Sequence, residues 1–472
     1  MNYRLIKISI TLGLALLLGI GLLNMSACDP CHSCGGGTPT PTHTHKPTPT
    51  PTQAPNACLP SSSIGVLVQD TNVTAYVPQS DWEEDGTTGI AVVPIETSTG
   101  IAGKATGPAA APSPSLITTP NFVNSCSSNS TTGLSVCVAN NTDVYLLKGT
   151  SLGQTLTSGA TGSQSFTGGD CENCGVVIDS TTNKALITMG LSAGDRTAGE
   201  IGLGGPGGFQ FLDLEGTPTF ESPIGAGTFT SEDVSIDPVR HLILSPVEGG
   251  FNSMSPNYQI VDVSLGTTSP VIYNQTLTDP IGDGDLDSAA EDCTTGIAIA
   301  TDEFTGQLFL ADLTQANFIS GSPGTWSSTG QQFEEFPEFE EEFPGLSAGT
   351  CGAAVAPGTH LAIITGEFGG NIEGVVQLPS TSGHHTPAAA DYVQFTMPTL
   401  PDESEWDQGF DPHPVTAYVS PNTGKSYAVL GNEEFSYLAV VDLQAVLNAP
   451  RSATHVASDP LPDGVVTYIP QQ

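Results

Sequence analysis

From about residue 61 onward, short apolar runs alternate with turn-forming polar clusters, and the runs keep one order. Each unit has a short strand, a tight turn, a second apolar strand, a variable segment and a third strand. The third strand is the most regular, at residues 89–93, 143–147, 209–214, 258–263, 308–313, 374–378 and 438–443. The second precedes it at 73–77, 134–138, 185–189, 241–245, 297–301, 361–365 and 426–430, so the unit recurs every 51 to 65 residues. Between first and second strands lie turn formers, as in Ser180-Thr181-Thr182-Asn183-Lys184, Asp237-Pro238-Val239-Arg240 and Pro421-Asn422-Thr423-Gly424-Lys425. A unit of this length has room for four strands, and stacking buries faces that one unit cannot bury alone. Seven units in a ring leave only short edges. The pattern therefore predicts an all-β chain whose residues 58–472 form a seven-bladed β-propeller; seven matching units argue against a pair of β-sandwiches. Residues 464–469 could supply a fourth strand to the last unit, which leaves open how the ring closes.

Four of the third strands end on an Asp followed by Leu or Val: Asp213-Leu214, Asp262-Val263, Asp312-Leu313 and Asp442-Leu443. Together with Lys425-Ser426-Tyr427-Ala428-Val429-Leu430, this repeat style resembles the YVTN/lactonase-like β-propeller superfamily over residues 61–470. Blades 1, 2 and 6 depart from it by lacking the Asp. The resemblance implies the propeller fold. Because the superfamily includes sugar lactonases, quinoprotein-like proteins and binding proteins, it leaves the activity open.

The N-terminal pattern is different. Arg4 and Lys7 precede an apolar run, Ile8 to Leu23, too short and too poorly flanked for a stable spanning helix, so residues 1–27 read as a signal peptide. Met25-Ser26-Ala27-Cys28 resembles a bacterial lipobox, which implies acylation of Cys28 and an exported chain held at the cell envelope, periplasmic or cell-surface. An ordinary cleaved signal with free release is the competing reading. Residues 28–57 form a linker whose Thr/Pro tract favours extended polyproline geometry and makes it a disordered stalk. Cys28-Asp29-Pro30-Cys31-His32 also matches the attachment pattern for c-type haem. Lipid and haem cannot share Cys28, and the Gly35-Gly36-Gly37 and Pro/Thr sequence that follows builds no pocket, so haem and electron transfer rank third among the functions considered.

Charge changes the picture further. Against 49 Asp and Glu stand 10 Lys and Arg, a net charge of -39. Nucleic acids and anionic headgroups are excluded as partners, and contact with the membrane is left to the lipid anchor. In a propeller, connections into the first strands and between second and third strands share one face. The acids gather there: Asp81, Glu83, Glu248, Glu303, Glu367, Glu433 and Glu434 follow second strands, while Asp170, Glu172, Glu232 and Asp233 precede first strands. The opposite connections carry Lys184, Arg240 and Lys425 and few clustered acids. The acidity is equally compatible with a solubility role. Crowded carboxylates repel unless a cation joins them, so Ca²⁺ is the candidate cofactor. Asp283, Asp285, Asp287, Glu291 and Asp292 are its candidate ligands, although Ser288 replaces the Gly of a calcium loop.

No G-x-S-x-G, H-E-x-x-H or Walker A string occurs. His413, beside Asp407 and Asp411, is the one His placed for acid/base work near the channel mouth. The first functional expectation is a binding module that offers its acidic face to a protein or glycan at the cell surface, rather than an enzyme. The second is a Ca²⁺-dependent lactonase-like hydrolase. Export permits disulfides, with Cys126–Cys137 as a natural pair, Cys171 and Cys174 as a structural C-x-x-C, and Cys293 and Cys351 as a possible bridge between blades 5 and 6.

Overall fold

The computed structural model describes residues 64–79, 88–101, 115–139, 141–158, 173–189, 208–225, 234–246, 258–275, 286–302, 308–314, 327–328, 350–366, 372–381, 392–396, 415–431, 437–449 and 466–470. The signal segment, stalk and Cys28, Cys31 and His32 lie outside them. Seven antiparallel sheets follow one another along the chain as the blades of a propeller, at residues 65–118, 123–157, 173–225, 235–275, 286–328, 350–396 and 415–470. In each sheet the strands lie side by side in sequence order. Blades 1 and 3 carry an additional short strand, Ser115–Thr118 and Ile224–Gly225, each paired with the third strand.

The second and third strands sit inside their sheets with a blade against each face, so both sets of alternating side chains must be apolar. In blade 2, Val136 and Val138 pack toward blade 3 while Cys137 and Ala139 pack toward blade 1. The same division recurs at every seam, giving seven apolar clusters, each shared by two neighbouring blades. This is why the sequence shows unbroken apolar runs there. Neighbouring first strands are joined by side chains: the Ser125 and Ser127 hydroxyls accept from the Val176 and Ile178 amides at 3.2 and 3.0 Å, and Ser288 accepts from Ala353 at 3.0 Å.

The ring closes without strand exchange. The outermost strand of blade 7 is Val466–Pro470, paired in register from Tyr437↔Pro470 to Val441↔Val466. Blades 7 and 1 then meet without a shared strand, with Tyr418, Tyr427, Val429, Leu438 and Val440 packed against Val66, Val73, Ala75, Val93 and Ile95. A polar latch secures the rim of this seam. Glu96 is buried, and its Oε1 accepts from Ser420 Oγ at 2.6 Å and from Asn422 Nδ2 at 2.9 Å. The same Asn422 amide donates to the Thr71 and Thr97 carbonyls at 2.9 and 3.1 Å.

One turn position repeats in every blade. A residue one or two places before the second strand has a positive φ: Asp70, Gly133, Asn183, His241, Gly296, His360 and Gly424. In six blades its backbone or the neighbouring turn bonds the chain just beyond the third strand or closes the hairpin, as in Gly133→Asn129, Leu214→Asn183, Val263→His241, Leu313→Gly296, Leu378→His360 and Gly424→Ser420. The residue opening the turn caps it: Asn129, Asp179, Asp237 and Asp292 each accept from the amide two residues on, at 2.8 to 3.0 Å. The Asp that ends the third strands has the same task. Asp213, Asp262 and Asp312 accept from Glu215, Ser264 and Thr314, each at 2.8 Å, and Asp442 caps the short helix Leu443–Leu447 through Ala445. At the equivalent register blades 1, 2 and 6 hold Glu96, Lys148 and Gln377.

Two outcomes test this construction. Asn422→Ala removes the latch donor from a buried carboxylate and is expected to lower unfolding free energy by about 1–3 kcal/mol. Thr99→Ala, which alters an exposed hydroxyl pair, should stay within about 0.5 kcal/mol in the same denaturant titration. The second comparison uses two turn glycines of similar φ, Gly296 at 79° and Gly424 at 69°. A Cβ at Gly296 would stand 2.6 Å from Arg240 Cζ, whereas one at Gly424 meets nothing within 4 Å. Gly424→Ala should cost about 1–2 kcal/mol from backbone conformation alone. Gly296→Ala should cost measurably more, about 2–4 kcal/mol, because Arg240 must also leave its partners.

Candidate functional site

The propeller has two unlike faces. First and second strands are joined by tight turns at one end of every sheet, at 70–71, 130–133, 180–183, 238–241, 293–296, 357–360 and 420–425. At the other end leave the chain segments 80–88, 140–142, 190–207, 247–257, 303–307, 367–371 and 431–436, which join second to third strands. The segments that lead from one blade to the next depart from that same end.

The acids singled out from the sequence belong to these longer segments. Asp81, Glu83, Asp170, Glu172, Glu232, Asp233, Glu248, Glu303, Glu367, Glu433 and Glu434 all lie outside the described residues, as do His413, Asp411, Asp407, Asp283 and Asp285. What is described is the set of strand ends that carries them, and those ends share one face. At that face Asp143 accepts from Asn121 Nδ2 at 2.9 Å and from Asn141 Nδ2 at 3.3 Å. Glu373 is buried at the end of its strand, and its Oε2 accepts from the Gly366 amide at 3.2 Å. Among the described residues no group of three or more His, Cys, Asp or Glu side chains could hold a metal ion.

Three sequence expectations can be placed on the structure. The first is the Ca²⁺ site at residues 283–292. Asp283 and Asp285 lie outside the described residues, and Glu291 and Asp292 close the strand Leu286–Asp292. Asp292 is occupied by the turn and the next blade: Oδ1 accepts from the Thr294 amide at 3.0 Å, and Oδ2 takes Thr295 Oγ1 at 2.9 Å and His360 Nδ1. Glu291 faces the seam with blade 4. Asp287 belongs to the same strand, and its side chain lies outside the description.

The second is the bridge between Cys293 and Cys351. Ser288 and Ala353 stand level across blades 5 and 6, so Cys293, beyond Ser288, and Cys351, before Ala353, lie near opposite ends of parallel first strands. About 20 Å apart, they cannot be joined, since a disulfide needs Cα atoms within about 7 Å. Cys293 is disulfide-bonded. Cys126 and Cys137 are joined across directly paired strands, with Cα atoms 4.1 Å apart. Cys171 and the side chain of Cys174 lie outside the described residues.

The third is the tight-turn face, expected to carry few clustered acids. Asp179, Asp237, Asp292, Asp213, Asp262, Asp312 and Asp442 all sit there, consumed by turn amides. Three of its cations are paired as well. Lys184 pairs with Glu221, Arg240 with Asp237 and Lys425 with Asp442.

Sequence reasoning missed one buried charged group altogether. At the seam of blades 4 and 5, Arg240 Nη1 donates to Asp237 Oδ2 at 2.8 Å and to the Cys293 carbonyl at 3.1 Å, and lies 3.5 Å from Glu291 Oε1. Burial opposes the Arg240 charge, but Asp237, Glu291 and Asp312 outweigh it and hold the guanidinium above its ordinary range. Burial and then Asp237 push the Glu291 carboxyl well above the usual carboxylate range. Tyr258 is raised by burial and by Glu291. In the sequence, Glu291-Asp292 reads as part of an acidic run. Only the register of the strand shows that one carboxyl faces backward to blade 4 and the other forward to blade 6.

Neither a family model nor a curated protein matches the sequence. The chain is similar in structure to a chain of the mitotic checkpoint complex, at 10% identity over 88% of this chain and 97% of that chain, with a TM-score of 0.45. It is similar also to a chain of hydrazine synthase from Kuenenia stuttgartiensis, at 12% identity over 85% and 98%, with a TM-score of 0.45. A third similar chain, from the outer coat vertex of COPII on membranes, has 9% identity over 87% and 88%, with a TM-score of 0.48.

Proposed function

We propose that the chain is an exported, lipid-anchored propeller that serves as an interaction module, presenting the face of its longer connecting segments to a protein partner with cationic groups. The observation that carries this reading is the sheet topology. The connections between second and third strands and those between blades leave from one end of every sheet, and the eleven acids singled out from the sequence belong to those connections.

The tight-turn face supports the division of labour. Seven of its Asp carboxylates cap turns or the short helix, and Lys184, Arg240 and Lys425 are paired, so much of its charge is tied up. The Asp pattern behind the YVTN/lactonase-like resemblance is turn capping. It supports a kinship of fold and says nothing of lactone chemistry. A net charge of -39 favours a basic partner and speeds encounter with it at low ionic strength. Cys28 and the Pro/Thr stalk would hold the ring away from the membrane surface.

Crosslinking in intact cells tests both halves of the reading. The full chain is expected to give a discrete crosslinked protein species. That species should be lost in a variant carrying Asp81→Asn, Glu83→Gln, Glu303→Gln, Glu367→Gln, Glu433→Gln and Glu434→Gln, and weakened at about 1 M salt, where screening acts within ~3 Å. An undiminished species in that variant would overturn the acidic face as the contact. Cys28→Ser should move the protein from the membrane to the soluble fraction; retention on the membrane would overturn the anchor.

A further inference from the structure

The seam between blades 4 and 5 holds a carboxyl that the fold does not satisfy as an anion. Glu291 lies on the first strand of blade 5, with its side chain 1% exposed. Neither of its oxygens has a hydrogen-bond donor among the described residues. The nearest cation, Arg240 Nη1 at 3.5 Å, is already committed to Asp237 and to the Cys293 carbonyl. Asp237 is itself buried, and its Oδ1 accepts the Val239 and Arg240 amides at 2.8 and 2.9 Å. The other groups that face Glu291 or Arg240 across this seam are Tyr258 from the third strand of blade 4, Asp292 from its own strand and Asp312 from the third strand of blade 5. Two buried carboxyls therefore compete for one guanidinium, and Asp237 holds it.

We infer that Glu291 carries a proton shared with Asp237 in the closed ring, and that loss of this proton opens the seam between blades 4 and 5, making the ring responsive to the pH around it. The protonated carboxyl has a ready acceptor in Asp237, whereas the ionised one would meet a like charge offset only by Arg240 at 3.5 Å, a group already committed to Asp237 and the Cys293 carbonyl. Burial and Asp237 both hold the proton on. The sign follows from linkage. A carboxyl whose folded value lies above its unfolded value of about 4.3 contributes stability in full below that value and loses it as pH rises through the folded one. Because a propeller face keeps its shape only while its seams stay shut, the consequence reaches the connecting segments of blades 4 and 5.

The test is thermal unfolding of the full chain and its Glu291→Gln variant from pH 5 to pH 9, with hydrogen exchange of the wild type over the same range. Glutamine keeps the shape and a donor toward Asp237 and cannot ionise. The two melting temperatures should be close at pH 5, and the variant should rise above the wild type as pH increases. In the wild type, exchange corrected for its intrinsic pH dependence should quicken at Ser235–Asp237 and Leu286–Asp292 by up to about tenfold per pH unit, the limit for one linked proton, with no matching change at Val123–Asn129. Melting curves that stay parallel across the range would overturn the inference. So would pH-independent exchange at the seam in the wild type, a readout that stands even if the variant fails to fold.

Discussion

Everything in this molecule depends on the burial of both faces of every blade. A lone four-stranded sheet of this sequence would leave two apolar layers in water, since side chains on its second and third strands are hydrophobic on both sides. Each seam removes two such layers at once, and seven seams remove them all. The ring is stable only as a closed object, because an open one would expose the faces of its first and last blades. That makes the seam between blades 7 and 1 the critical junction. It has no chain continuity and no exchanged strand, only the packing of Tyr418 and Tyr427 with their neighbours and the Glu96–Asn422 latch.

The same constraint separates structure from function across the two faces. Tight turns leave no slack, so their polar groups are spent on capping and on bonds to the next blade, as with Asp292 and His360 or Asn129 and Asn183. Connections at the other end vary in length from blade to blade. Glu291 departs from the economy of the seams, since neither of its oxygens has a hydrogen-bond donor among the described residues.

The seven-unit architecture was legible because packing on both sides writes itself into the sequence as uninterrupted apolar runs at a regular interval. The closing strand was legible too: residues 464–469 anticipate Val466–Pro470. Outermost strands such as Thr219–Phe220 and Ser327–Ser328 were not, being two residues long. The helix Leu443–Leu447 is five residues and shows no period. Site reasoning failed where it needed to know which end of a strand a residue occupies. Cys293 and Cys351 misled for this reason. The role of the Asp ending the third strands was hidden because a turn cap and a surface carboxylate look identical in one sequence.

The seam between blades 7 and 1 is expected to be shut as firmly as the seams between blades that the chain joins directly, and residue-resolved hydrogen exchange of the full chain at about pH 6 tests this most directly. Amides of Gly65–Gln69 and Val415–Val419, the first strands at the closing seam, should exchange with the same opening free energy as those of Asn173–Asp179 between blades 2 and 4. Exchange at the closing seam that is faster by two or more orders of magnitude would mean that blades 1 and 7 part while the rest stays folded, and would contradict the claim.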